Sequence, residues 1–450
     1  QLNTLFSELS DSNTGMSILD YVRRNDESED DDGLDNAFIY ERTFDDPDKQ
    51  FRVSASHSFR RQFKTQNIDI FRNTLEPLPE NLNGMERALT DEIRNISVFQ
   101  LDYINPVNEK SKIETGLKAT IRKFDNDYIY SRFEETQQNF VEDPAISNRF
   151  IYKDYIYAGY FLYSRTAKKF DYTIGLRGEH TVLDTYLANT QEANQQQYFN
   201  LFPSLQALYK ANEKNNFKFS FSRRIDRPTA WRLNPFPDIT DSLNVRRGNP
   251  NLQPEMIYSL ELGHLLNLEK SSYTTNLFYR YVSGQLDFIT LIENGISYVQ
   301  PANLNSSISY GLEFIGLTQF TPWWTLSGGA TFFRIIVDGS NLGEEFVNNG
   351  FAWNTKVTND IKLPWEMNFQ VVGNYESAEI EAQGRDFSQY YIDVNLQKGF
   401  MAGRASLSLS IRDIFDTRRF AGFSLTNTFV QDFYSKRETR FILVSGKYNF

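Results

Sequence analysis

The sequence contains no cysteine among its 450 residues. This absence excludes disulfide bridges, thiolate metal sites and thiol nucleophiles. No stretch approaches the roughly 18 consecutive apolar residues of a membrane-spanning helix, so transmembrane helices are excluded as well. Basic residues are not in excess, because 47 Lys and Arg stand against 58 Asp and Glu, for a net charge of -11. A nucleic-acid-binding protein shows a basic face, and we therefore expect no nucleic-acid partner.

Signatures of catalysis and of bound cofactors are missing too. The three histidines, His57, His180 and His264, lie in separate segments, and no spacing joins them to a serine and an acid as a hydrolase requires. There is neither a glycine-rich phosphate loop nor a paired zinc-ligand motif. We therefore predict that the chain is not an enzyme and holds no catalytic residue, metal or cofactor. No signal peptide begins at Gln1, so that either it has been cleaved or the chain is the downstream part of a longer polypeptide.

Aromatic residues, in contrast, are abundant: they make up 15% of the chain, with 38 Phe and 25 Tyr. Rings are frequent in strands that cross membranes, because aromatic girdles lie at the level of the lipid headgroups. One dense aromatic run is predicted to belong to such a girdle. Its members are Phe150, Tyr152, Tyr155, Tyr157, Tyr160, Phe161 and Tyr163.

Strict alternation of apolar and polar residues recurs along the chain. Phe217, Phe219 and Phe221 alternate with polar residues, and the segment Ala405–Arg412 repeats the pattern. A charge at the lipid-facing midplane costs about 2–4 kcal/mol, so the charged faces must point into a wet or plugged lumen. A soluble sheet with one solvated face is the alternative, and it is disfavoured because so many strands would bury only one face.

Short turns and long connections alternate between these segments. The short turns are predicted at 45–49, 106–111, 166–168, 212–216, 268–271, 320–323, 364–366 and 401–403. The long connections are predicted near 62–94, 126–148, 185–197, 226–253, 286–303, 338–349, 380–387 and 416–435. Outer-membrane barrels separate periplasmic turns from extracellular loops in this way. We therefore predict an all-β protein, a large antiparallel transmembrane β-barrel of about 18 strands, each of about 9 to 16 residues, that crosses the outer membrane of a Gram-negative cell many times.

Two regions are distinguished along the chain. Residues 37–450 are assigned to the barrel, and residues 1–36 to a poorly patterned acidic loop or partial strand region. The acidic run Asp26–Gly33 fails the calcium-loop pattern at its last ligand position and is predicted to be a solvated, mobile loop.

Several motifs carry a family likeness. They include Arg223–Pro228 (RRIDRP), Leu233–Phe236 (LNPF), Gly248–Glu255 (GNPNLQPE) and Arg412–Thr417 (RDIFDT). In combination they resemble the TonB-dependent-receptor-like outer membrane β-barrel family over about residues 37 to 450. The resemblance implies a barrel of 22 strands preceded by a plug domain and a TonB-contacting segment. Neither of these is present in this sequence, which implies that Gln1 lies inside the barrel of a longer protein.

The end of the chain resembles the signal by which outer-membrane barrels are recognised for assembly. Tyr448 and Phe450 lie on one face of the final alternating segment, and the chain closes on the aromatic ring. We therefore expect the barrel assembly machinery to be a partner of this segment.

Two functions are compatible with the resemblance. The first is the barrel of a TonB-dependent receptor that transports a nutrient across the outer membrane, with TonB engaged through an upstream segment. The alternative is a non-transporting structural barrel subunit of an outer-membrane assembly or secretion complex. The expected partners are outer-membrane lipid and, for either function, a surface lipoprotein or other outer-membrane proteins. The sequence does not name a ligand.

Six arginines border the long central loop and are the candidate site residues: Arg223, Arg224, Arg227, Arg232, Arg246 and Arg247. One interpretation is a patch at the mouth of the lumen that binds an anionic substrate, a plug or a partner through bidentate hydrogen bonds. The other, which we favour, is that they neutralise carboxylates of the lumen and fix the loop in place.

Overall fold

The chain folds into one large antiparallel sheet with smaller sheets at its loop end. The computed structural model describes residues 2–10, 17–72, 78–237, 244–293, 296–343, 346–425 and 430–449. Within these residues the main sheet has nineteen strands. One of them, the short strand β6 (Asn139–Glu142), pairs only with the end of β5 (Ser111–Glu134), so that the other eighteen form the wall.

The wall strands follow one another in chain order, each antiparallel to the next. They are β1 (Leu2–Ser10), β2 (Ser17–Thr43), β3 (Gln50–Arg72), β4 (Leu82–Asn108), β5 (Ser111–Glu134), β7 (Asn148–Thr166), β8 (Phe170–Leu187), β9 (Glu192–Lys210), β10 (Asn215–Asp226), β12 (Glu255–Asn267), β13 (Ser271–Ser283), β16 (Ser306–Thr321), β17 (Trp324–Asp338), β18 (Val347–Leu363), β19 (Met367–Glu376), β22 (Gln389–Phe400), β23 (Ala405–Arg412) and β26 (Phe441–Tyr448).

The remaining elements are short and lie in the connections. They are β6 (Asn139–Glu142), β11 (Asn244–Arg246), β14 (Leu286–Glu293), β15 (Ile296–Asn303), β20 (Glu379–Glu381), β21 (Gly384–Asp386), β24 (Phe420–Leu425), β25 (Val430–Ser435), the 3-10 helix Pro79–Asn81 and the helix α1 (Ala230–Leu233). Neither helix has the length and apolarity needed to cross a membrane, a statement limited to the described part of the chain.

Each wall strand has two unlike faces, as its alternation predicts. Leu262, Leu277 and Leu312 stand side by side on β12, β13 and β16, and their exposed fractions are 50%, 50% and 41%. On the opposite face of the same strands, the Asn276 side-chain amide donates to the Glu313 carboxylate at 2.7 Å. The apolar face therefore meets lipid, and the hydrogen-bonded face lines the interior.

The wall is much taller on one side than on the other. The strands β2 to β5 contain 23 to 27 residues, whereas β10, β12 and β13 contain 12 or 13. About 9–11 residues suffice to cross the hydrocarbon region, so the long strands continue into water. All eight predicted short turns coincide with junctions of wall strands at one end. The long strands therefore extend at the other, extracellular end.

The prediction of a mobile acidic loop at Asp26–Gly33 is wrong. This segment lies inside β2 and pairs residue by residue with β3. The negative charges are tolerated in this part of β2 because it lies outside the membrane and because basic side chains of β3 form ion pairs with acidic side chains of β2. Lys64 pairs with Glu27 at 2.8 Å, and the guanidinium of Arg60 bonds the Asp35 carboxylate.

The predicted strand lengths, and three of the predicted long connections, are wrong for the same reason. Most of the segment 62–94 belongs to β3 and β4, most of 126–148 to β5 and β6, and 185–197 is a tight junction of β8 and β9. Above the membrane both faces of a strand meet water, so these stretches lack the apolar alternation that marks a bilayer crossing. The wall therefore contains strands of up to 27 residues.

The final strand, β26, pairs with β23 along its whole length, and Tyr448 lies opposite Ala405. The Tyr448 side chain is 50% exposed, as an aromatic residue near the periplasmic interface is expected to be. Phe450, the other half of the predicted assembly signal, lies outside the described residues.

The two-faced wall generates a prediction for a matched pair of substitutions on β13. Leu277→Arg places a charge on the lipid face, where it is expected to lower the free energy of unfolding by about 2–4 kcal/mol. Asn276→Arg places the same charge on the interior face, within reach of the Glu313 carboxylate, and should change it by less than about 1 kcal/mol. Urea unfolding of the barrel in lipid vesicles measures both values. Equal losses in the two variants would contradict the assignment of faces.

Candidate functional site at the loop end of the barrel

The connection between β10 and β12 folds back onto the interior face of the wall. It carries α1, and its two apolar anchors, Leu233 and Leu252, are 0% and 1% exposed. The anchors pack in one cluster with buried side chains of β7 and β8, namely Phe150, Tyr152, Leu183 and Leu187. This contact fixes the loop inside the extracellular mouth.

The aromatic run on β7 is divided between two faces, so its prediction as a single girdle is wrong. Tyr157 and Phe161 point outwards and are 48% and 49% exposed. Phe150 and Tyr152, which differ from them in strand parity, are buried inside beneath the loop. The run mixes both parities, and only the outward half can lie at a lipid interface.

The two limbs of the loop are joined by backbone hydrogen bonds. The Gly248 amide donates to the Asn234 carbonyl at 2.8 Å, and the Asn249 amide donates to the Arg232 carbonyl at 2.7 Å. A Cβ atom on Gly248 would lie 2.4 Å from the Asn234 carbonyl oxygen, so only glycine allows this approach. The need to bring the two limbs of the loop together thus explains the glycine at the start of the GNPN sequence, Gly248–Asn251.

The wall is interrupted next to this loop. Pairing between β9 and β10 ends at Ser204 and Ser222, and among the described residues the stretch Glu192–Pro203 of β9 has no ladder partner on the β10 side. We call this stretch the seam. Pro203, which has no N–H to donate, is the first residue beyond the last pair.

Two of the candidate arginines fill the seam. Arg223 donates to the Leu201 carbonyl at 2.7 Å and thereby satisfies an acceptor that the ladder leaves unpaired. Arg227 reaches the interior face of β8, where it pairs with the Glu179 carboxylate at 2.6 Å and donates to the Thr181 hydroxyl at 3.0 Å. These two side chains replace strand pairing with side-chain contacts.

The other four candidates have separate positions. Arg247 pairs with Glu293 at 2.6 Å and joins the loop to the β14–β15 hairpin. Arg232 lies beside the stacked rings of Trp231 and Phe288, and its side chain has no hydrogen bond or ion pair in the described part of the chain. Arg224 and Arg246 are exposed. The six arginines therefore do not share one set of contacts.

Two small sheets, which we call the cap, cover the loop end. One consists of β11, β15 and β14, and the other of β20, β21, β24 and β25. Thr290 and Gln383 join them: the Thr290 amide donates to Gln383 Oε1 at 2.6 Å, and Gln383 Nε2 donates back to the Thr290 carbonyl at 3.0 Å. Both residues are buried, so the pair is protected from water.

Carboxyl groups crowd the junction of the two cap sheets. Burial raises the pKa of Asp287 above its ordinary value. Burial, reinforced by Asp287, Asp386 and Glu379, raises the pKa of Glu381 to about 8. The Glu381 side chain keeps an exposed edge, and solvent screening there moderates its effect on stability. The described residues contain no group of three or more His, Asp or Glu arranged to hold a metal ion.

The cap and its carboxyl groups were not identified from the sequence. Thr290 and Gln383 are 93 residues apart, and neither lies in a recognisable motif. The sequence predicts the segments 286–303 and 380–387 only as long connections. The spaced acidic residues Glu379, Glu381 and Asp386 were the one available signal, because such spacing on a short hairpin places carboxyl groups close together.

Removal of one seam arginine tests its structural role. Arg227→Ala leaves Glu179, 8% exposed, with Arg177 as its remaining cation. Because one partner stays, we expect a loss of about 2 kcal/mol in the free energy of unfolding, less than the 3–5 kcal/mol typical when a buried charge loses every partner. Urea unfolding measures the loss, and exposed Arg224→Ala is the control, with a change within about 0.5 kcal/mol.

A double-mutant cycle makes this test specific. Adding Glu179→Gln to Arg227→Ala removes the buried charge, so part of the lost free energy should be recovered. Additive losses in the two single variants would show that Arg227 and Glu179 do not depend on each other.

The junction of the cap is expected to loosen as the pH rises. An acid whose pKa is raised in the folded state binds its proton more tightly there, so its stabilisation is complete below about 4.5 and is lost as the pH rises through about 8. Hydrogen exchange of peptides covering 286–303 and 379–386, corrected for intrinsic rates, should therefore be faster at pH 9 than at pH 6. Glu381→Gln should reduce this difference, whereas Glu109→Gln, in a turn at the other end, should not.

Comparisons with known proteins identify the family to which this barrel belongs. The model of the outer membrane protein β-barrel family matches residues 42–448. A comparison with curated proteins gave no match. Among solved structures, the ferric yersiniabactin uptake receptor FyuA from Yersinia pestis is 12% identical with a TM-score of 0.55, over 100% of this chain and 74% of that one.

Two further solved structures are similar. The copper transporter OprC is 10% identical with a TM-score of 0.63, over 100% of this chain and 75% of its own. The siderophore receptor PiuA from Acinetobacter baumannii is 11% identical with a TM-score of 0.59, over 99% and 77%. Identities this low show a common fold, and the proteins that share it are receptors and transporters rather than enzymes. The chain belongs to the outer membrane protein β-barrel family and is a multi-pass barrel of the outer membrane.

Proposed function

We propose that this chain is the barrel of a receptor that takes up a nutrient across the outer membrane. The observation that carries the proposal is the fold, which matches an uptake receptor, a copper transporter and a siderophore receptor over 99–100% of this chain. The extracellular mouth supports it. The loop from 227 to 254 is anchored on the interior face by Leu233 and Leu252, so that the mouth is pre-formed for capture.

The wall and the cap have different parts in this function. The wall is held by antiparallel ladders between consecutive strands, with the seam bridged by Arg223 and Arg227, and provides a rigid passage. The two sheets of the cap are joined by the hydrogen bonds between Thr290 and Gln383, and the carboxyl groups at their junction repel one another when ionised. The cap is therefore the part best suited to move when a ligand enters. The exposed arginines Arg224 and Arg246 remain candidates for contact with an anionic ligand or a partner.

Energised transport requires a plug and a TonB-contacting segment. The family resemblance implies both upstream of the barrel, and we propose TonB as a partner on that basis. The intact mass of the protein extracted from outer membranes bears on this point. A mass larger than 52.5 kDa by tens of kDa, on the order of an added domain, is expected for a gated receptor.

A second function, a structural subunit of an outer-membrane complex, is favoured by one surface. Leu425, Val430 and Tyr434 lie on one face of the β24–β25 hairpin, 48%, 66% and 65% exposed, outside the wall. An exposed apolar face of this kind fits a contact with a lipoprotein or another outer-membrane protein.

Growth on scarce nutrients separates the two functions. A strain of the source bacterium that lacks the protein is supplied with siderophore-bound iron, copper or oligosaccharides, each as the limiting source. For an uptake receptor we expect a growth defect on at least one source, restored by the wild-type gene in the presence but not in the absence of TonB. Normal growth on every source, together with recovery of the barrel in a stoichiometric complex, would contradict uptake and support the structural function.

A further inference from the structure

An exposed pair of stacked aromatic rings lies inside the mouth. Trp231 on α1 and Phe288 on β14 are parallel within 9°, with ring centroids 5.6 Å apart. The Arg232 guanidinium lies 5.5 Å from the indole centroid and 5.7 Å from the phenyl centroid. We call these three side chains the aromatic platform. Trp231 is 60% exposed and Phe288 is 39% exposed, so much of the ring surface is open.

The platform faces the passage rather than the wall. Leu233 lies two residues beyond Trp231 on α1, and it is fully buried against the interior face of the wall. Residues two apart on a helix point in nearly opposite directions, so Trp231 points away from the wall. A nutrient that passes the mouth therefore meets the indole before it meets the deeper interior.

Both rings are held in place by their backbones. The α1 segment is fixed by the Leu233 anchor and by the hydrogen bond of Asn249 to Arg232. The hairpin that carries Phe288 is fixed to the start of β12, because the Leu286 amide donates to the Glu255 carboxylate at 2.8 Å. A large aromatic surface that is ordered before binding loses little conformational entropy when a ligand arrives.

The surrounding charges limit the class of ligand. Glu255 interacts electrostatically with Asp226, Asp287 and Arg232, and Asp287 also interacts with Asp386. Two of these carboxyl groups, Glu255 and Asp287, thus interact with the one guanidinium of Arg232, which disfavours an anionic ligand. The Arg232 side chain, in contrast, has no hydrogen-bond or ion-pair partner among the described residues. It retains donors that suit neutral oxygen atoms.

We propose that the aromatic platform binds a pyranose ring of a neutral saccharide. The apolar C–H face of the sugar stacks on the indole, and its hydroxyl groups accept from Arg232. The inference rests on the proposed uptake function, because it names the class of nutrient that the mouth receives. Trp231, Phe288 and Arg232 are the residues that determine this specificity.

Binding by the purified barrel tests the inference directly. The protein is prepared in a detergent without a sugar headgroup and applied to an array of neutral and acidic oligosaccharides, with free catechol as an aryl competitor. We expect neutral glycans to bind, and the dissociation constant of the best one to rise at least about tenfold in Trp231→Ala and in Phe288→Ala. Trp365→Ala removes an even more exposed indole (78% against 60% for Trp231) from a turn at the opposite end, and should leave the constant unchanged.

Three results would overturn the inference. The first is that no neutral glycan binds the wild-type barrel better than it binds the Trp231→Ala Phe288→Ala double variant. The second is that both single variants keep the wild-type affinity. The third is that catechol displaces the glycan at a concentration equal to or lower than that of the glycan. Folding of every variant is checked by its heat-dependent migration on gels. Glycan binding without glycan-dependent growth would count against the uptake function alone, whereas growth dependence on a nutrient that does not need Trp231 would count against the platform alone.

Discussion

The structure depends on one constraint: a backbone N–H or C=O group in lipid has no water to bond, so the wall must satisfy these groups itself. Pairing of each strand with the next meets this demand between neighbours along the eighteen strands of the wall. Once the backbone is satisfied, the side chains are free to differ between faces, with Leu277 towards lipid and Asn276 towards the interior. Where the ladder stops, at the seam, the guanidinium of Arg223 takes over the acceptor at Leu201.

The seam explains why the central loop enters the barrel at this point. β10 ends at Asp226, whereas β9 extends further towards the extracellular side. The chain therefore leaves the wall after β10 at a point closer to the membrane. It then has the interior face of the tall strands beside it, and Leu233 and Leu252 bind there. The unequal heights of neighbouring strands thus produce an ordered loop inside the mouth. A barrel with strands of equal height would offer no such interior surface for the loop.

The sequence predicted the parts of the fold that the bilayer dictates. The short turns, the lipid-facing leucines and the strand number all follow from a period of two with one apolar face. The extracellular part of the wall could not be predicted, because water lies on both of its faces. Strands there, such as the acidic run Asp26–Gly33, lack the alternation of apolar and polar residues. The site was harder still. The arginines were recognised as a group, but the partner of Arg227 is Glu179, 48 residues away, and only the folded wall brings the two together.

The aromatic platform joins two parts of the molecule that differ in stability. Trp231 is carried by a loop packed on the wall, whereas Phe288 belongs to a cap held by the Thr290–Gln383 pair and opposed by its own carboxyl groups. A displacement of the cap relative to the loop would therefore break the stacking contact between Phe288 and Trp231. A ligand that contacts both residues would favour the arrangement in which their rings are stacked, and by linkage that arrangement would favour the ligand. If the platform binds its ligand as proposed, binding and the contact between cap and loop are therefore thermodynamically coupled.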